Sequence, residues 1–156
     1  MKILVVSDSH GQVEPLLRAV ERSNPNLVIH LGDGWRDAEE LSGRFPDLPL
    51  EQVPGNCDFA YAREPAERIL LLGGKRVMIC HGHTLHVKYG LLNALYAAQE
   101  RQADALLFGH THEPLVDVQN GIVLLNPGCA GDYAHPTYGI LDIRDGRCRA
   151  DVYSLA

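Results

Sequence analysis

Two histidines separated by one residue, His110 and His112, follow a short apolar segment in the sequence LLFGHTH. In an extended chain, side chains two residues apart point to the same side. Both imidazole rings are therefore expected to face one point beyond the end of a strand, where their nitrogens could bind a metal ion. Taken alone, the pair fits a structural turn as well as a metal site, so recurrence of the pattern decides between them.

The same pattern recurs four times earlier in the chain, where apolar segments end in aspartate, asparagine or histidine. These segments are ILVVSDSH, LVIHLGD, LEQVPGNCD and RVMICHGH. In open α/β sheets, ligands bind at the carboxyl ends of the strands. Five such endings with compatible chemistry therefore predict one shared metal centre. Its expected ligands are Asp8, His10, Asp33, Asn56, His81, His110 and His112.

The composition of this ligand set indicates which ions it suits. Seven ligands exceed what one tetrahedral ion needs, and they favour two ions with one carboxylate between them. Mixed nitrogen and oxygen donors without thiolate favour Mn, Fe, Zn, Ni or Co over calcium or an iron–sulfur cluster. Two ions about 3.5–4 Å apart are the usual arrangement for hydrolysing phosphate esters, because they activate a water and stabilise the leaving oxygen.

Length and composition bound the remaining possibilities. The chain has 156 residues, 46% of them apolar and 22% charged, as expected for one globular domain over residues 1–156. No apolar run is long enough for a membrane span. The apolar run in MKILVVSDSH is also too short for a signal peptide, so we expect a cytoplasmic protein. The net charge of −6 argues against nucleic acid as a partner, although two divalent cations would offset four of these charges and attract an anionic substrate.

The four cysteines, Cys57, Cys80, Cys129 and Cys148, are widely spaced and form no CxxC pair. A zinc knuckle is therefore not expected, and in the cytoplasm the thiols should be free. Cys57 directly follows Asn56, and we interpret it as a small packed residue near the metals.

The elements that would position the ligands follow from hydrophobic periodicity. Buried strands are expected at residues 3–7, 27–31, 48–53 and 105–109, with helices at 13–23, 35–43 and 87–101. This alternation predicts parallel βαβ units with right-handed crossovers.

Three hairpins complete the expected architecture. Their turns are Gly73-Gly74, Asn120-Gly121 and Asp145-Gly146, each between two strand-like segments. The last third of the chain is therefore expected to be antiparallel. Together these elements predict an α/β fold in which two sheets form a sandwich flanked by helices.

The motif order DSH, GD, GNCD, HGH and GHTH resembles that of calcineurin-like metallophosphoesterases, in particular the small bacterial and archaeal phosphodiesterases. The resemblance extends from Asp8 to the NPG sequence at residues 126–128. It implies a four-layer α/β/β/α sandwich with two mixed sheets and a dinuclear centre, with Mn as the expected ion. It also assigns the ligands: Asp8, His10, Asp33 and His112 for one ion, and Asp33, Asn56, His81 and His110 for the other, with Asp33 as the bridge.

Two departures from the family pattern affect the expected roles. Many relatives have a histidine after the asparagine of the third motif, where it protonates the leaving group or binds phosphate, and this chain has Cys57 instead. The alternatives for the general acid are His83, beside His81 at the same strand end, and a metal-bound water. In the loop GWRDAEE, the spacing from Asp33 to Asp37 is longer than in many relatives, so Asp37 is not expected to be a metal ligand.

The leading hypothesis is a metal-dependent phosphodiesterase acting on a small phosphate ester, with Asp33, Asn56 and His83 as its catalytic residues. A phosphomonoesterase or nuclease of the same fold is one alternative. A metal-binding scaffold subunit with little activity is another, and relatives of that kind often lack the histidine that is His10 here. A homodimer is compatible with the resemblance.

Several nearby polar residues have a structural interpretation beside the functional one. His30 lies mid-strand and is expected to be a hydrogen-bonded core histidine. Asp58 either orients a ligand or is an exposed turn carboxylate, and Asn126 either supports the site or ends a strand. His86 and His135 are expected in loops, and Arg36 at a solvated helix start.

Overall fold

The computed structural model describes residues 1–60 and 62–156, which form two five-stranded sheets covered by three α-helices. The strands are β1 Lys2–Val6, β2 Leu27–His30, β3 Leu50–Gln52, β4 Glu67–Leu72, β5 Lys75–Cys80, β6 Ala105–Leu107, β7 Leu115–Gln119, β8 Ile122–Asn126, β9 Thr137–Arg144 and β10 Arg147–Ser154. The helices are α1 Glu14–Ser23, α2 Trp35–Arg44 and α3 Leu92–Glu100.

Both sheets are mixed, as the resemblance implied. The first has the order β10-β9-β1-β2-β3, in which β1, β2 and β3 are parallel and β9 runs antiparallel to β1. The second has the order β4-β5-β6-β8-β7, in which β5, β6 and β8 are parallel and the two outer strands are antiparallel. The parallel strands at the centre of each sheet bring their carboxyl ends to one edge, where loops can converge.

The buried side chains form three core clusters, one between each pair of adjacent layers, which confirms the expected four-layer α/β/β/α sandwich. One cluster joins the two sheets through residues such as Ile29 and Leu107. A second packs the first sheet against α1 through Leu16 and Val20, and a third packs the second sheet against α3 through Ala98. In the described residues, no helix is long and apolar enough to cross a membrane.

Two elements differ from the sequence expectation. The helix expected at residues 87–101 begins only at Leu92, because His86 has a left-handed backbone and Gly90 has φ of +119° after the 3-10 turn Val87–Tyr89. Among the apolar residues whose helical spacing led to this prediction, Leu92 and Tyr96 are each 61% exposed, whereas Leu95 packs against the sheet together with small alanines. The last third is also not purely antiparallel, since β8 joins β6 in parallel.

Candidate metal centre

A first group of ligand side chains forms where β1 and β6 end. Asp8 Oδ1 lies 3.5 Å from His10 Nε2 and 3.1 Å from His112 Nε2. The two imidazole nitrogens are themselves 3.4 Å apart. These three atoms therefore face a common point, as the sequence motifs DSH and GHTH predicted.

A second group forms beside the first, at the ends of β2, β5 and β6. Asp33 Oδ2 lies 3.3 Å from His81 Nε2, and His110 Nδ1 lies 3.2 Å from the same nitrogen. Asp33 Oδ2 is also 4.0 Å from His10 Nε2 of the first group. Asp33 therefore stands between the two groups, which is the position that a bridging carboxylate needs.

One buried carboxylate oxygen between the two groups has no hydrogen-bond partner. His81 Nδ1 donates to Leu31 O at 2.8 Å, which orients the ring so that Nε2 faces Asp33 and His110. Asp8 Oδ1 is buried without a hydrogen-bond partner, although three histidine nitrogens lie within 4 Å. Nitrogen ligands about 2.0–2.1 Å from one tetrahedral ion are about 3.3 Å apart. The observed spacings of 3.2 and 3.4 Å therefore fit cations bound in each group.

The electrostatics of the two groups keep both carboxylates ionised. Asp8 raises the pKa of His10, and Asp33 and Asp8 raise the pKa of His81 against the effect of burial, so metal ions would compete with protons at these two rings. Burial opposes ionisation of Asp33, but the hydrogen bond and charge of His81 and the Cys57 amide hold its pKa well below its usual range. Burial likewise opposes ionisation of Asp8, and His10 and His81 still hold its pKa below the ordinary value. Burial and the charge of His81 lower the pKa of His110 to about 4, so its ring is uncharged at neutral pH.

The backbone at these positions is held in a conformation that side chains other than glycine rarely adopt. Positive φ angles of 58°, 47°, 58°, 70° and 64° occur at Asp8, His10, Asp33, His110 and His112. Each such residue costs on the order of 1–3 kcal/mol and persists only where surrounding contacts impose it. Five of the ten non-glycine residues with positive φ in the described part of the chain are candidate ligands, and the other five include the hairpin residues Asn120 and Asp145.

Asp58 is the main contact that imposes this geometry on the loop after β2. Its buried carboxylate accepts hydrogen bonds from the backbone amides of Asp33 at 2.7 Å, Gly55 at 2.8 Å, and Gly34 and Trp35 at 3.2 Å. The interpretation of Asp58 as an exposed turn carboxylate is therefore wrong. No local sequence signal marks this role, because three of the four donor amides belong to residues 33–35, more than 20 residues earlier in the chain.

A buried polar chain supports the loop after β1. Gly32 N donates to His30 Nδ1 at 3.1 Å, so the proton of His30 is on Nε2, 2.9 Å from Ser9 Oγ. Ser9 Oγ donates in turn to Asp37 Oδ2 at 2.7 Å, which also accepts from Gly11 N. The expectation of a hydrogen-bonded core histidine at position 30 is confirmed, and Asp37 is engaged away from the ligand groups.

Asn126 supports the loop after β6, which agrees with the interpretation that it supports the site. Its buried Nδ2 donates to Gly109 O at 3.1 Å and to Thr111 Oγ1 at 2.9 Å, and its Oδ1 accepts from Gly128 N at 2.9 Å. The loop that carries His110 and His112 is thereby tied to the end of β8.

The remaining expected site residues lie at the edge of the ligand groups. His83 is half-buried, with its ring centre 5.4 Å from that of His81 and 6.2 Å from that of His110. Asn56 is exposed in the turn after β3, and its Nδ2 lies 3.5 Å from Cys57 Sγ. All four cysteines are free, as expected, but the interpretation of Cys57 as a packed residue is wrong, because it is exposed.

A cleft of about 280 Å³ opens beside the two groups. Its walls include His10, Asp33, Trp35, Arg36 and Cys57. The cleft combines an indole ring and a guanidinium group with candidate ligands of both ions.

Another cavity, of about 490 Å³, is lined by Val20, Arg44 and Phe45 at the C-terminal ends of α1 and α2, remote from the ligands. Two further histidines lie in loops as expected: His86 follows the 3-10 turn of residues 83–85, and His135 N donates to Asp132 Oδ1.

The four-layer sandwich, with candidate metal ligands at the strand ends, places this protein among the metallophosphoesterase folds. Residues 1–146 match the calcineurin-like phosphoesterase superfamily domain. The chain is 40% identical over 131 residues to the probable metallophosphoesterase YsnB of Bacillus subtilis, covering 82% of this chain and 74% of YsnB. It is 30% identical over 171 residues to phosphodiesterase YfcE of Escherichia coli K12, covering 91% and 88%. The chain belongs to the calcineurin-like phosphoesterase superfamily.

Solved structures agree with this assignment. A Streptococcus pneumoniae protein described as a "predicted phosphoesterase" matches with a TM-score of 0.81 at 29% identity, over 98% of this chain and 88% of that one. Vps29 of Entamoeba histolytica, in complex with zinc, matches with a TM-score of 0.73 at 19% identity, over 99% of each chain. At that identity the likeness to Vps29 shows the fold alone.

Proposed function

We propose that this chain is a phosphodiesterase that uses two divalent metal ions to hydrolyse a small phosphate ester. One ion would be held by Asp8, His10 and His112 together with Asp33. The second would be held by Asp33, His81 and His110 with Asn56, whose exposed side chain contacts Cys57 Sγ in this structure. The observation that carries the proposal is the pair of ligand groups on either side of Asp33, 3.3 Å from His81 Nε2 and 4.0 Å from His10 Nε2.

The ions, of which Mn is the expected choice and Ni, Fe, Zn or Co are alternatives, would lower the pKa of a water between them and neutralise the phosphoryl oxygens. Asp33 stays anionic because His81 and the Cys57 amide hold its carboxylate in place. Asn56 would fix one phosphoryl oxygen through its amide. These roles make Asp33 and Asn56 catalytic residues.

His83 is proposed as the group that delivers a proton to the leaving oxygen. Its ring lies just outside the His81–His110 pair, and its Nδ1 is buried without a hydrogen-bond partner. His83→Gln should therefore slow hydrolysis of an alkyl diester at least about tenfold. It should affect bis-p-nitrophenyl phosphate far less, because nitrophenolate leaves without protonation. Equal losses on both substrates would exclude this role.

The size of the cleft favours a small substrate. A space of about 280 Å³ lies just below the range for small-molecule sites, about 300–1,000 Å³. The net charge of −6 disfavours binding to the polyanionic backbone of nucleic acid. We further propose that residues 1–156 act as one domain and that the protein works in the cytoplasm.

The test compares bis-p-nitrophenyl phosphate with p-nitrophenyl phosphate, using metal-stripped protein to which Mn, Ni, Zn or Mg is added back singly. We expect diester turnover restored by Mn or Ni and lowered at least about 100-fold in Asp33→Ala. The exposed Asp47→Ala is the matched control, and circular dichroism checks that both variants fold. Full activity of Asp33→Ala, or a preference for the monoester, would contradict the proposal.

A scaffold function, one of the alternatives that the family resemblance allows, is the second candidate, because one fold can carry different functions. The complete ligand set, including His10, favours the enzyme. If the protein binds metal but turns over neither substrate with any ion, the scaffold is the better interpretation.

A further inference from the structure

A cysteine thiol lies against the ligand groups without being part of either. Cys57 Sγ, a ring nitrogen of His10 and a carboxylate oxygen of Asp33 all lie within 4.8 Å of one another. The side chain of Cys57 is exposed, at the wall of the cleft. His10 and Asp33 are thus shared between the proposed metal position and a third donor set that contains sulfur.

The backbone holds Cys57 beside Asp33, and its exposed side chain contacts Asn56 Nδ2 at 3.5 Å. Cys57 N donates to Asp33 Oδ1 at 2.8 Å, which fixes the residue beside the carboxylate. Sulfur about 2.3 Å and nitrogen about 2.0–2.1 Å from one tetrahedral ion are about 3.6 Å apart. The three donor atoms lie within 4.8 Å of one another, so binding would require at most a small movement of the exposed Cys57 side chain.

A second observation points to a cation at the same place. Asp8 Oδ1 is fully buried, has no hydrogen-bond partner and lies 3.5 Å from His10 Nε2. An unpartnered buried carboxylate oxygen is costly unless a positive charge approaches it. The ion that would satisfy Asp8 lies next to the donor set that contains Cys57.

We propose that Cys57 is an additional, thiolate ligand of the ion held by His10 and Asp33, used by thiophilic ions such as Zn²⁺, Cd²⁺ and Co²⁺ and left unbound by Mn²⁺. This inference rests on the proposed metal centre. Soft thiolate selects soft or borderline ions, whereas Mn²⁺ prefers oxygen donors. When the metal–sulfur bond forms, the S–H bond breaks and the proton passes to solvent, so one extra proton is released per ion bound.

The consequence is that the identity of the ion changes the cleft. Cys57, His10 and Asp33 line the same cleft, so a thiolate bound to the ion would take up a ligand position on the cleft side. Mn²⁺ would leave Cys57 unbound and this position available to a phosphate ester. Cys57 would therefore make the protein distinguish Mn²⁺ from Zn²⁺ by geometry as well as by affinity.

Cobalt provides the direct test, because Co²⁺–thiolate bonds give a near-ultraviolet charge-transfer band, while visible d–d bands report any bound Co²⁺. We expect the charge-transfer band in wild-type protein, its loss in Cys57→Ser, and its retention in the control Cys148→Ser, whose half-buried thiol lies on β10. The d–d bands should remain in both variants.

The outcomes separate this inference from the proposed function. Bound Co²⁺ with d–d bands but no charge-transfer band in wild type would overturn the role of Cys57 and leave the metal centre standing. Absence of bound Co²⁺ would overturn both. A parallel measurement follows alkylation of Cys57 by iodoacetamide: Cd²⁺ should slow it at least tenfold and Mn²⁺ should not, and equal rates with both ions would count against the proposal.

Discussion

Replacement of Asp58 by asparagine should destabilise the protein strongly, although the two side chains have nearly the same shape. The Asp58 carboxylate is buried and accepts four backbone amide hydrogen bonds, two of them at 2.7 and 2.8 Å. Asparagine keeps one acceptor oxygen and turns an NH₂ group towards the other donors. At least two amides, such as those of Asp33 and Gly55, then lose their acceptor.

The expected magnitude follows from the number of bonds lost. A hydrogen bond to a charged group contributes about 1.5–3 kcal/mol. Loss of two such bonds should therefore lower the free energy of unfolding by about 3 kcal/mol or more. Because domains of this size are stable by only about 5–15 kcal/mol, this is a large fraction of the total.

Urea unfolding of metal-free protein at neutral pH measures this loss without a contribution from bound ions. Asp47→Asn, at an exposed position, is the matched control and should change the free energy of unfolding by less than about 0.5 kcal/mol. Because Asp58 positions Asp33, the variant should also bind Mn²⁺ about 10–100-fold more weakly. A loss below about 1 kcal/mol for Asp58→Asn would refute the view that this carboxylate organises the loop.

Three further predictions concern other buried groups. Ser9→Ala should lower the free energy of unfolding by about 1–3 kcal/mol, measured by urea unfolding, because His30 Nε2 and Asp37 lose their shared partner; no loss would contradict the buried chain. Asn126→Ala should weaken Mn²⁺ binding about 10–100-fold in calorimetry, and unchanged affinity would show that the GHTH loop does not depend on it. Burial raises the pKa of Cys80 from 9.0 to about 12, so its thiol stays protonated in the folded chain while the unfolded chain ionises. The stability it contributes is full below pH 9 and is lost between pH 9 and 12, and a Cys80→Ala variant should show a shallower alkaline decline than wild type.

The strand ends could be predicted from the sequence because each is a local pattern. An apolar segment followed by Asp8, Asp33 or His81 is visible without knowledge of the fold. The parallel order of the strands then brings these ends to one edge. The fold class and the convergence of the histidines and aspartates follow from this reasoning, and the resemblance added the layer order.

The supporting contacts could not be predicted, because they join residues that are distant in the chain. The local sequence around Asp58 does not distinguish it from a solvent-exposed turn residue. The amides of residues 33–35 come within hydrogen-bonding distance of it only when the two loops fold together. Exposure of Cys57 likewise depends on how its turn packs. The late start of α3 has a local cause, the left-handed His86 and Gly90, but apolar spacing at Leu92 and Tyr96 concealed it.

The number of metal ions bound per chain tests the central claim most directly. Metal-free protein is dialysed against Mn²⁺, and bound Mn²⁺ is counted by elemental analysis in parallel with hydrolysis of bis-p-nitrophenyl phosphate. The proposed centre predicts two ions per wild-type chain, with turnover that requires the second, and fewer than two with little turnover in His81→Ala. Turnover at full rate with one ion per chain, or with none, would contradict a dinuclear centre at these strand ends.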